Sequence, residues 1–304
     1  QISNNQFKIA LWLSRYYYAP LGYCLKTVLP TFFLKKGYLT TIDKEQEPKN
    51  TANKPVCILS SAKETLNNIL PFIKESVKEL GQVALIIPDI STLQYFYENL
   101  ALNYEVVKVH SGLSNKKLYE SWNKIKSGQA LTLSQRMSTI AKKQSLTKCE
   151  GQADIILGTR QALFMPLKNL KLIIADDVLH EVYKSDMTPK YNTPDLARTI
   201  ADLNGAKMVF VSPIIGVENY YHLKNKEYDL LDKTNAREPL KVVNMISEIK
   251  SGNFSMFSRE FKDQFLALIN PSSQSKKILI FSPRRGHSGV LVCQNCGYAV
   301  KCKD

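Results

Sequence analysis

The sequence lacks an apolar run of the length that crosses a membrane, so we expect no membrane span. It also lacks a recognisable secretion signal, and because it starts at Gln1 we expect the native start to be missing. Cysteine is scarce, since six residues are scattered over 304 positions, which does not fit a small disulfide-stabilised protein. Ordinary thiols are typical of a reducing compartment, and we therefore predict a cytoplasmic protein.

Acidic residues are too few to balance the basic ones. The chain has 27 aspartates and glutamates against 41 lysines and arginines, a net charge of +14. This excess favours a nucleic-acid partner. A lysine-rich genome composition would give the same excess and is the alternative explanation. Hydrophobic residues make up 44% of the chain, which is typical of a globular protein.

Short apolar segments alternate with longer amphipathic segments through the middle of the chain. This alternation predicts β/α units and a doubly wound parallel sheet of the nucleotide-binding type, an α/β fold. The predicted strands are Val56–Leu59, Val83–Ile87, Val106–Val109, Ile155–Leu157, Leu172–Ala175 and Lys207–Val211. The predicted helices between them are Lys63–Leu80, Thr92–Leu100, Lys116–Ser127 and Pro194–Leu203.

Composition divides the chain into four parts. Residues 1–34 are predicted as the tail of an N-terminal domain, and the polar residues 35–54 as a linker. Residues 55–222 form the α/β lobe, with a basic insertion at 130–150, and residues 223–304 begin a second lobe. The elements predicted in that last part are strands Lys241–Met245 and Lys277–Phe281 and helix Glu260–Ile269.

Three consecutive tyrosines, Tyr16, Tyr17 and Tyr18, follow Arg15 at the end of a helical pattern that begins at Phe7 and ends near Pro20. Aromatic rings beside a cation can stack on nucleic-acid bases. Packing in the protein core is the interpretation that the apolar pattern favours.

Two strand ends carry residues suited to phosphate. Gly158, Thr159 and Arg160 follow one strand and offer backbone N–H groups, a hydroxyl and a guanidinium. Such groups position a nucleic-acid backbone without reading its sequence. His110, followed by Ser111-Gly112 after another strand, can act in the same way.

The turn after the first strand is where a phosphate-binding loop belongs, but it contains no glycine. A P-loop needs glycines for close backbone approach, a lysine for phosphate and a Ser or Thr for Mg²⁺. Lys63 and Thr65 are the candidate nucleotide-binding residues here, and Glu64 between them would repel a triphosphate. A helix cap by Ser60 or Ser61 is the favoured alternative.

Asp176 and Asp177 end another predicted strand, where a nucleotide hydrolase holds Mg²⁺ and its attacking water. They are the candidate catalytic residues, as a degenerate Walker B pair. Capping of the following segment by the two aspartates is the alternative.

The C-terminal cysteines have metal-ligand spacing. Cys293-x-x-Cys296 is followed by glycine, which is typical of a zinc knuckle, and Cys302 supplies a third thiolate. We predict Zn²⁺ bound by these three, with a fourth ligand beyond the sequence. A redox Cys-x-x-Cys is the less favoured alternative, because it lacks the strand-to-helix setting.

Taken in this order, the motifs resemble the primosomal protein N′ (PriA) family, bacterial replication-restart DNA helicases of superfamily two. The similarity covers nearly the whole chain. The segments that carry it are His110–Ser114, Gly158–Pro166, Asn169–Asp176, Tyr183-Lys184, Lys190-Tyr191, Asp195–Ala197, Glu218–Tyr221, Arg284–Gly286 and Leu291–Gly297.

The resemblance implies a RecA-like helicase lobe, preceded by the end of a 3′-DNA-end-binding domain and followed by the start of a second lobe with a zinc-binding insertion. It implies forked or single-stranded DNA, primosome proteins and single-stranded-DNA-binding protein as partners. The residues it assigns to DNA binding are His110, Gly158, Thr159, Arg160, Lys184, Lys190 and Tyr191.

Three family motifs for ATP are altered. The glycine-rich GxTGSGKT loop is replaced by Ser60–Thr65, DEEH by Asp176–Leu179, and SAT by Ser212–Ile214. An intact site for ATP and Mg²⁺ is therefore not expected, which leaves the enzyme assignment open. We predict a replication-restart protein with lost or weakened ATP-driven helicase activity. The alternatives are an active ATP-dependent 3′→5′ DNA helicase and a zinc-knuckle adaptor that binds proteins.

Overall fold

The computed structural model describes residues 2–30, 42–43, 53–127, 153–233, 241–269, 277–281, 291–292, 296 and 299–300. The chain divides into two units, Gln1–Arg237 and Glu238–Asp304. The predicted insertion at 130–150 and most of the predicted linker at 35–54 lie outside the described residues. The domain boundaries expected at residues 34, 54 and 222 remain predictions.

Seven strands of the described residues form one sheet in the first unit, and every neighbouring pair is parallel. The order across the sheet is β3-β4-β2-β5-β6-β1-β7. The predicted doubly wound parallel α/β fold is confirmed. The strands are β1 Val56–Leu59, β2 Gln82–Ile86, β3 Val106–Val109, β4 Ile155–Gly158, β5 Leu170–Ala175, β6 Lys207–Ser212 and β7 Asp229–Asp232.

Helices cover both faces of the sheet, because successive strand residues point to opposite sides. Val83, Leu85 and Ile87 pack in one buried cluster, while Ala84 and Ile86 belong to the other. The helices on the first face are α3 Thr65–Lys78 and α4 Ile90–Leu100. Those on the second face are α1 Asn4–Tyr16, α2 Leu21–Val28, α5 Asn115–Ser127 and α6 Thr193–Asn204.

The two N-terminal helices pack on the sheet lobe and are part of the first unit. Ser3 and Gln6 form a reciprocal capping box that begins α1. The buried Gln6 side chain then donates from Nε2 to the carbonyl of Phe164 at 2.8 Å. Leu13 of α1 is fully buried in the same cluster as Ile200 of α6.

Two further elements of the first unit were missed by the sequence patterns. Helix α7, Val217–Lys224, has no buried residue, and strand β7 is exposed along its length at the sheet edge. Neither element therefore carries the burial periodicity that predicts a helix or a strand.

In the second unit the predicted strand Lys241–Met245 is wrong. Residues 241–244 have no strand partner, and Met245 begins helix α8, Met245–Lys250, whose Asn244 cap accepts a hydrogen bond from Ile246 N. The described residues 277–281 are not in a strand either. Helix α9, Arg259–Ile269, confirms the third prediction. No helix among the described residues is long and apolar enough to cross a membrane.

Candidate functional site

The carboxyl ends of the parallel strands place the predicted site residues along one edge of the sheet. The strand order puts the Gly158 turn beside the β2 end and the aspartate pair one strand further along. The first strand and its Ser60 turn follow after β6. In order along the edge, the residues are His110, Gly158–Arg160, Asp89, Asp176–Asp177, Ser212 and Ser60-Ser61.

Gly158 is required by close packing at the end of β4. A Cβ atom at this position would lie 2.2 Å from the Val109 carbonyl oxygen and 2.8 Å from the Ala162 Cβ. The following residue, Thr159, donates its N–H to the same Val109 carbonyl at 3.1 Å. Because Gly158 has no side chain, the turn can pack closely against the neighbouring strand. This packing determines the positions of Thr159 and Arg160.

Arg160 begins a 3₁₀ turn, Arg160–Phe164, that follows directly from β4. Its Nη1 lies 3.4 Å from the Val182 carbonyl oxygen, which orients the guanidinium. Thr159 and Arg160 are both half-buried, so each keeps part of its surface in solvent. A guanidinium held in this way can form paired hydrogen bonds with a phosphate.

The other predicted DNA-binding residues are dispersed around this turn. Lys184 and Lys190 are exposed on the segment after β5. His110 is half-buried, and its Nδ1 accepts the Gly112 N–H at 3.2 Å. Burial and then the charge of Lys108 lower the pKa of His110 below its ordinary value. A neutral His110 can donate one ring N–H to a phosphate but adds little positive charge at neutral pH.

Tyr191 is buried, and its role in DNA binding stays a prediction. The structure buries its ring, which packs edge-on against Phe164 at 5.7 Å between ring centres. Burial also raises the pKa of its hydroxyl to about 12. Tyr191 therefore packs against the segment that follows the Gly158 turn.

The turn after β1 differs from a phosphate-binding loop in its hydrogen bonds. The carbonyl oxygen of Ser61 accepts the N–H of Glu64 at 3.0 Å, the N–H of Thr65 at 3.1 Å and the Thr65 hydroxyl at 3.1 Å. These donors are committed inside the chain. In a P-loop the first helical turn instead directs such groups at phosphate and Mg²⁺.

The side chains of this turn are also used internally. Asn68 donates to the buried Ser60 hydroxyl at 2.9 Å, and the Ser61 hydroxyl donates to Glu64 at 2.9 Å. The expected cap by Ser60 or Ser61 is wrong, because Glu64 is the N-cap of α3 and no side chain caps it. Of the two candidate nucleotide-binding residues, Lys63 is exposed, while Thr65 is buried and its hydroxyl donates to the Ser61 carbonyl.

Asp176 is the buried member of the aspartate pair, with 8% of its surface exposed. Burial, together with the charges of Asp177 and Asp89, raises its pKa to about 7, against a hydrogen bond from the Asp177 N–H that lowers it. A carboxyl group with this pKa is partly protonated at neutral pH. A Mg²⁺ ligand needs the ionised form.

Asp177 adopts a left-handed backbone conformation with φ of 46°, which is uncommon for a residue other than glycine. Its carbonyl accepts the His180 N–H at 2.8 Å, so the chain turns at once after the strand. The described residues contain no group of three or more His, Cys, Asp or Glu able to hold a metal ion. Lost or weakened binding of ATP and Mg²⁺ at this edge stays a prediction.

Two supporting residues were not assigned from the sequence. Asp89 caps α4 by accepting from the Thr92 N–H at 2.8 Å and the Thr92 hydroxyl at 2.7 Å. Burial would raise the pKa of Asp89, but these hydrogen bonds outweigh it and hold the pKa below its ordinary value. The buried Tyr183 hydroxyl lies 2.6 Å from the Asp176 carbonyl and 3.1 Å from that of Ile86. The order Asp-Ile-Ser-Thr, starting at Asp89 after a strand, is the pattern that could have predicted this helix cap.

The zinc prediction falls mostly outside the described residues. Cys293 and Cys302 are not described, while Cys296 is exposed and has a free thiol. Zn²⁺ binding by these cysteines stays a prediction.

Sheet and edge together define a nucleotide-binding-type α/β lobe with a candidate phosphate-backbone site at the β4 end. The curated relatives that it matches are named replication restart protein PriA. That of Rickettsia conorii is 23% identical over 329 residues, which covers 99% of this chain and 46% of the relative. That of Synechocystis is 25% identical over 310 residues, which covers 89% of this chain and 34% of the relative. That of Bacillus subtilis is 27% identical over 236 residues, which covers 75% of this chain and 26% of the relative.

The predicted resemblance to the primosomal protein N′ (PriA) family is thus confirmed at low identity. The chain spans less than half the length of these relatives. No protein-family model matches it.

Solved helicase structures are similar at a low level. A DEAD box protein from Methanococcus jannaschii gives a TM-score of 0.40 at 13% identity, covering 60% of this chain and 46% of the other. The UvsW helicase from bacteriophage T4 gives 0.36 at 10% identity, covering 66% and 75%. The fold assignment therefore rests on the sheet topology.

Proposed function

We propose that this protein binds branched or single-stranded DNA in replication restart, and that it does so with lost or weakened ATP-driven unwinding. The relatives whose sequences run along almost the whole chain are named for replication restart. The net charge of +14 supports a nucleic-acid ligand.

The observation that carries the DNA-binding part is the Gly158 turn. Its glycine packs where no side chain fits, and the next two residues carry a hydroxyl and an oriented guanidinium. Exposed Lys184 lies on the segment that also supplies the Val182 carbonyl to Arg160. These groups provide phosphate contacts that are independent of base sequence.

The hydrogen bonds of the Ser61 carbonyl support the ATP part of the proposal. Phosphoryl transfer depends almost entirely on positioning and electrostatic stabilisation of the phosphates. The N–H groups of Glu64 and Thr65 and the Thr65 hydroxyl donate to Ser61, so they are not available to phosphate or Mg²⁺.

The finer parts of the function follow the resemblance. We propose primosome proteins and single-stranded-DNA-binding protein as partners, a cytoplasmic location, and Zn²⁺ bound by Cys293, Cys296 and Cys302.

Salt-dependent binding to a forked DNA tests the DNA-binding proposal. The logarithm of the affinity should fall linearly with the logarithm of the salt concentration, since each contacted phosphate releases counterions. Arg160→Ala should weaken binding roughly tenfold and reduce the salt slope by about one unit. The control is Lys78→Ala, an exposed cation at the end of α3, at the opposite edge of the sheet.

The outcomes separate the alternatives. An affinity that hardly changes with salt would show that few phosphates are contacted. It would favour the alternative, a zinc-knuckle adaptor that binds proteins. Equal effects of Arg160→Ala and Lys78→Ala would show non-specific charge attraction instead of a site at the Gly158 turn.

A further inference from the structure

We propose that the end of α1 is a second DNA contact, where unpaired bases stack on exposed aromatic rings. This aromatic corner consists of Trp12, Arg15, Tyr16 and Tyr18. The inference rests on the proposed DNA binding, but it places an additional contact on the N-terminal helices, formed by residues other than those of the Gly158 turn. The ligand that fits is single-stranded DNA, because paired bases have their faces covered.

The rings of the corner already form a stack that continues toward solvent. Trp12 and Tyr16, one helical turn apart on α1, are parallel with 4.9 Å between ring centres and 16° between ring planes. Trp12 packs against the buried cluster of the lobe, while Tyr16 is 57% exposed. The buried end of the stack fixes the exposed ring, which lowers the entropy lost when a base adds to it.

Tyr18 extends the corner beyond the helix. Its backbone is left-handed with φ of 49°, and its side chain is 96% exposed. Two hydrogen bonds hold this conformation, from the Ala19 N–H to the Ser14 carbonyl at 3.1 Å and from the Ser14 hydroxyl to the Ala19 carbonyl at 2.7 Å. The packing expected for the tyrosine triplet is therefore wrong for Tyr16 and Tyr18.

Tyr17, between them, anchors the corner to the lobe. Its ring meets Tyr16 edge-on at 4.9 Å, and its hydroxyl oxygen accepts the Asn192 N–H at 2.9 Å. Burial raises the pKa of this hydroxyl, against the hydrogen bond from Asn192. Because Asn192 is the N-cap of α6, the rings stand at a fixed position on the sheet lobe.

Positive charge accompanies the rings, which points to a nucleic acid. Arg15 is exposed in the last turn of α1. The Lys184 ammonium lies 5.6 Å from the centre of the Tyr17 ring, so a cation of the predicted DNA-binding set adjoins the corner. Cations that hold the backbone beside aromatic rings that stack the bases are the usual arrangement for single strands.

Fluorescence anisotropy with a labelled oligothymidylate tests the proposal on the full chain. Tyr16→Ala combined with Tyr18→Ala should weaken binding roughly 5- to 150-fold, the range for losing one stacked base. Tyr16→Phe should bind as the wild type does, because the ring is kept. Duplex DNA of the same length should show no such difference between the variants.

The matched control is Tyr95→Ala, which removes a ring that is 49% exposed on α4, on the other face of the sheet. An oligonucleotide with 5-iodouracil adds a direct readout, and irradiation should cross-link it to Tyr16 or Tyr18. Unchanged affinity of the double variant, or cross-links to other residues, would overturn the proposal that bases stack on the aromatic corner, while the proposed function would stand. A wild-type chain that binds no DNA would overturn both.

Discussion

Two turns at the same edge of the sheet show opposite uses of similar positions. In the turn Ser60–Thr65, after β1, one carbonyl accepts hydrogen bonds from two N–H groups and two hydroxyls. In the turn Gly158–Arg160, after β4, a glycine packs against the next strand and the following side chains keep part of their surface in solvent. Whether a strand end can bind phosphate thus depends on where its donors point.

The distance between the two turns explains how one can change without the other. Three strands, β2, β5 and β6, lie between β4 and β1. At the usual strand spacing the two turns are roughly 19 Å apart. Substitutions that fill the Ser61 turn with internal hydrogen bonds therefore need not disturb the residues around Gly158.

The largest effect is expected from Asp176, which lies between the two turns. Its pKa rises from 3.8 to about 7 in the folded protein. The folded state then binds more protons than the unfolded state, so the free energy of unfolding falls as pH rises from about 4 to about 7 and levels off above that. The loss is on the order of 4 kcal/mol.

Urea unfolding of the wild type and Asp176→Asn across this pH window measures that contribution. The variant should lose most of the pH dependence and be the more stable protein at pH 7. Parallel pH profiles for the two proteins would mean that Asp176 is ionised throughout, and the case against a Mg²⁺ site would weaken.

The next largest effect is expected from the glycine of the Gly158 turn. Gly158→Ala should destabilise the fold by about 1–3 kcal/mol, because the new Cβ must displace the Val109 backbone. Gly22→Ala is the matched control, since a Cβ there meets nothing within 4 Å and an alanine in a helix is favourable. Thermal melting should lower the midpoint for the first variant only. A Gly158→Ala protein as stable as the wild type would show that this turn does not need glycine.

A smaller effect is expected in the Ser61 turn. Asn68→Ala removes the donor to the buried Ser60 hydroxyl and should lower the free energy of unfolding by about 1 kcal/mol. Asn67→Ala, one position earlier and exposed on the same helix, should leave it unchanged. Equal stability of the two variants would show that the Ser60–Asn68 hydrogen bond does not secure this turn.

The central strands could be predicted closely, because buried parallel strands are continuous apolar segments. Leu172–Ala175 was predicted and Leu170–Ala175 observed, with Lys171 obscuring the start. The edge strand Asp229–Asp232 could not be found in this way, since it alternates no buried face with an exposed one.

The residues of the candidate site could be predicted from the sequence, but the directions of their hydrogen-bonding groups could not. The sequence pointed to Gly158 and Asp176, yet the four donors that converge on the Ser61 carbonyl depend on the conformation of the turn. The tyrosine triplet shows the same limit, because apolar character predicts burial and a left-handed Tyr18 directs its ring outward.

ATP hydrolysis in the presence of saturating forked DNA tests the central claim most directly. The hydrogen bonds of the Ser61 turn predict turnover at the background rate, and no difference between the wild type and Lys63→Ala, while both proteins bind the fork. Robust DNA-stimulated hydrolysis that disappears in Lys63→Ala would contradict the account and identify an active helicase with a divergent phosphate loop.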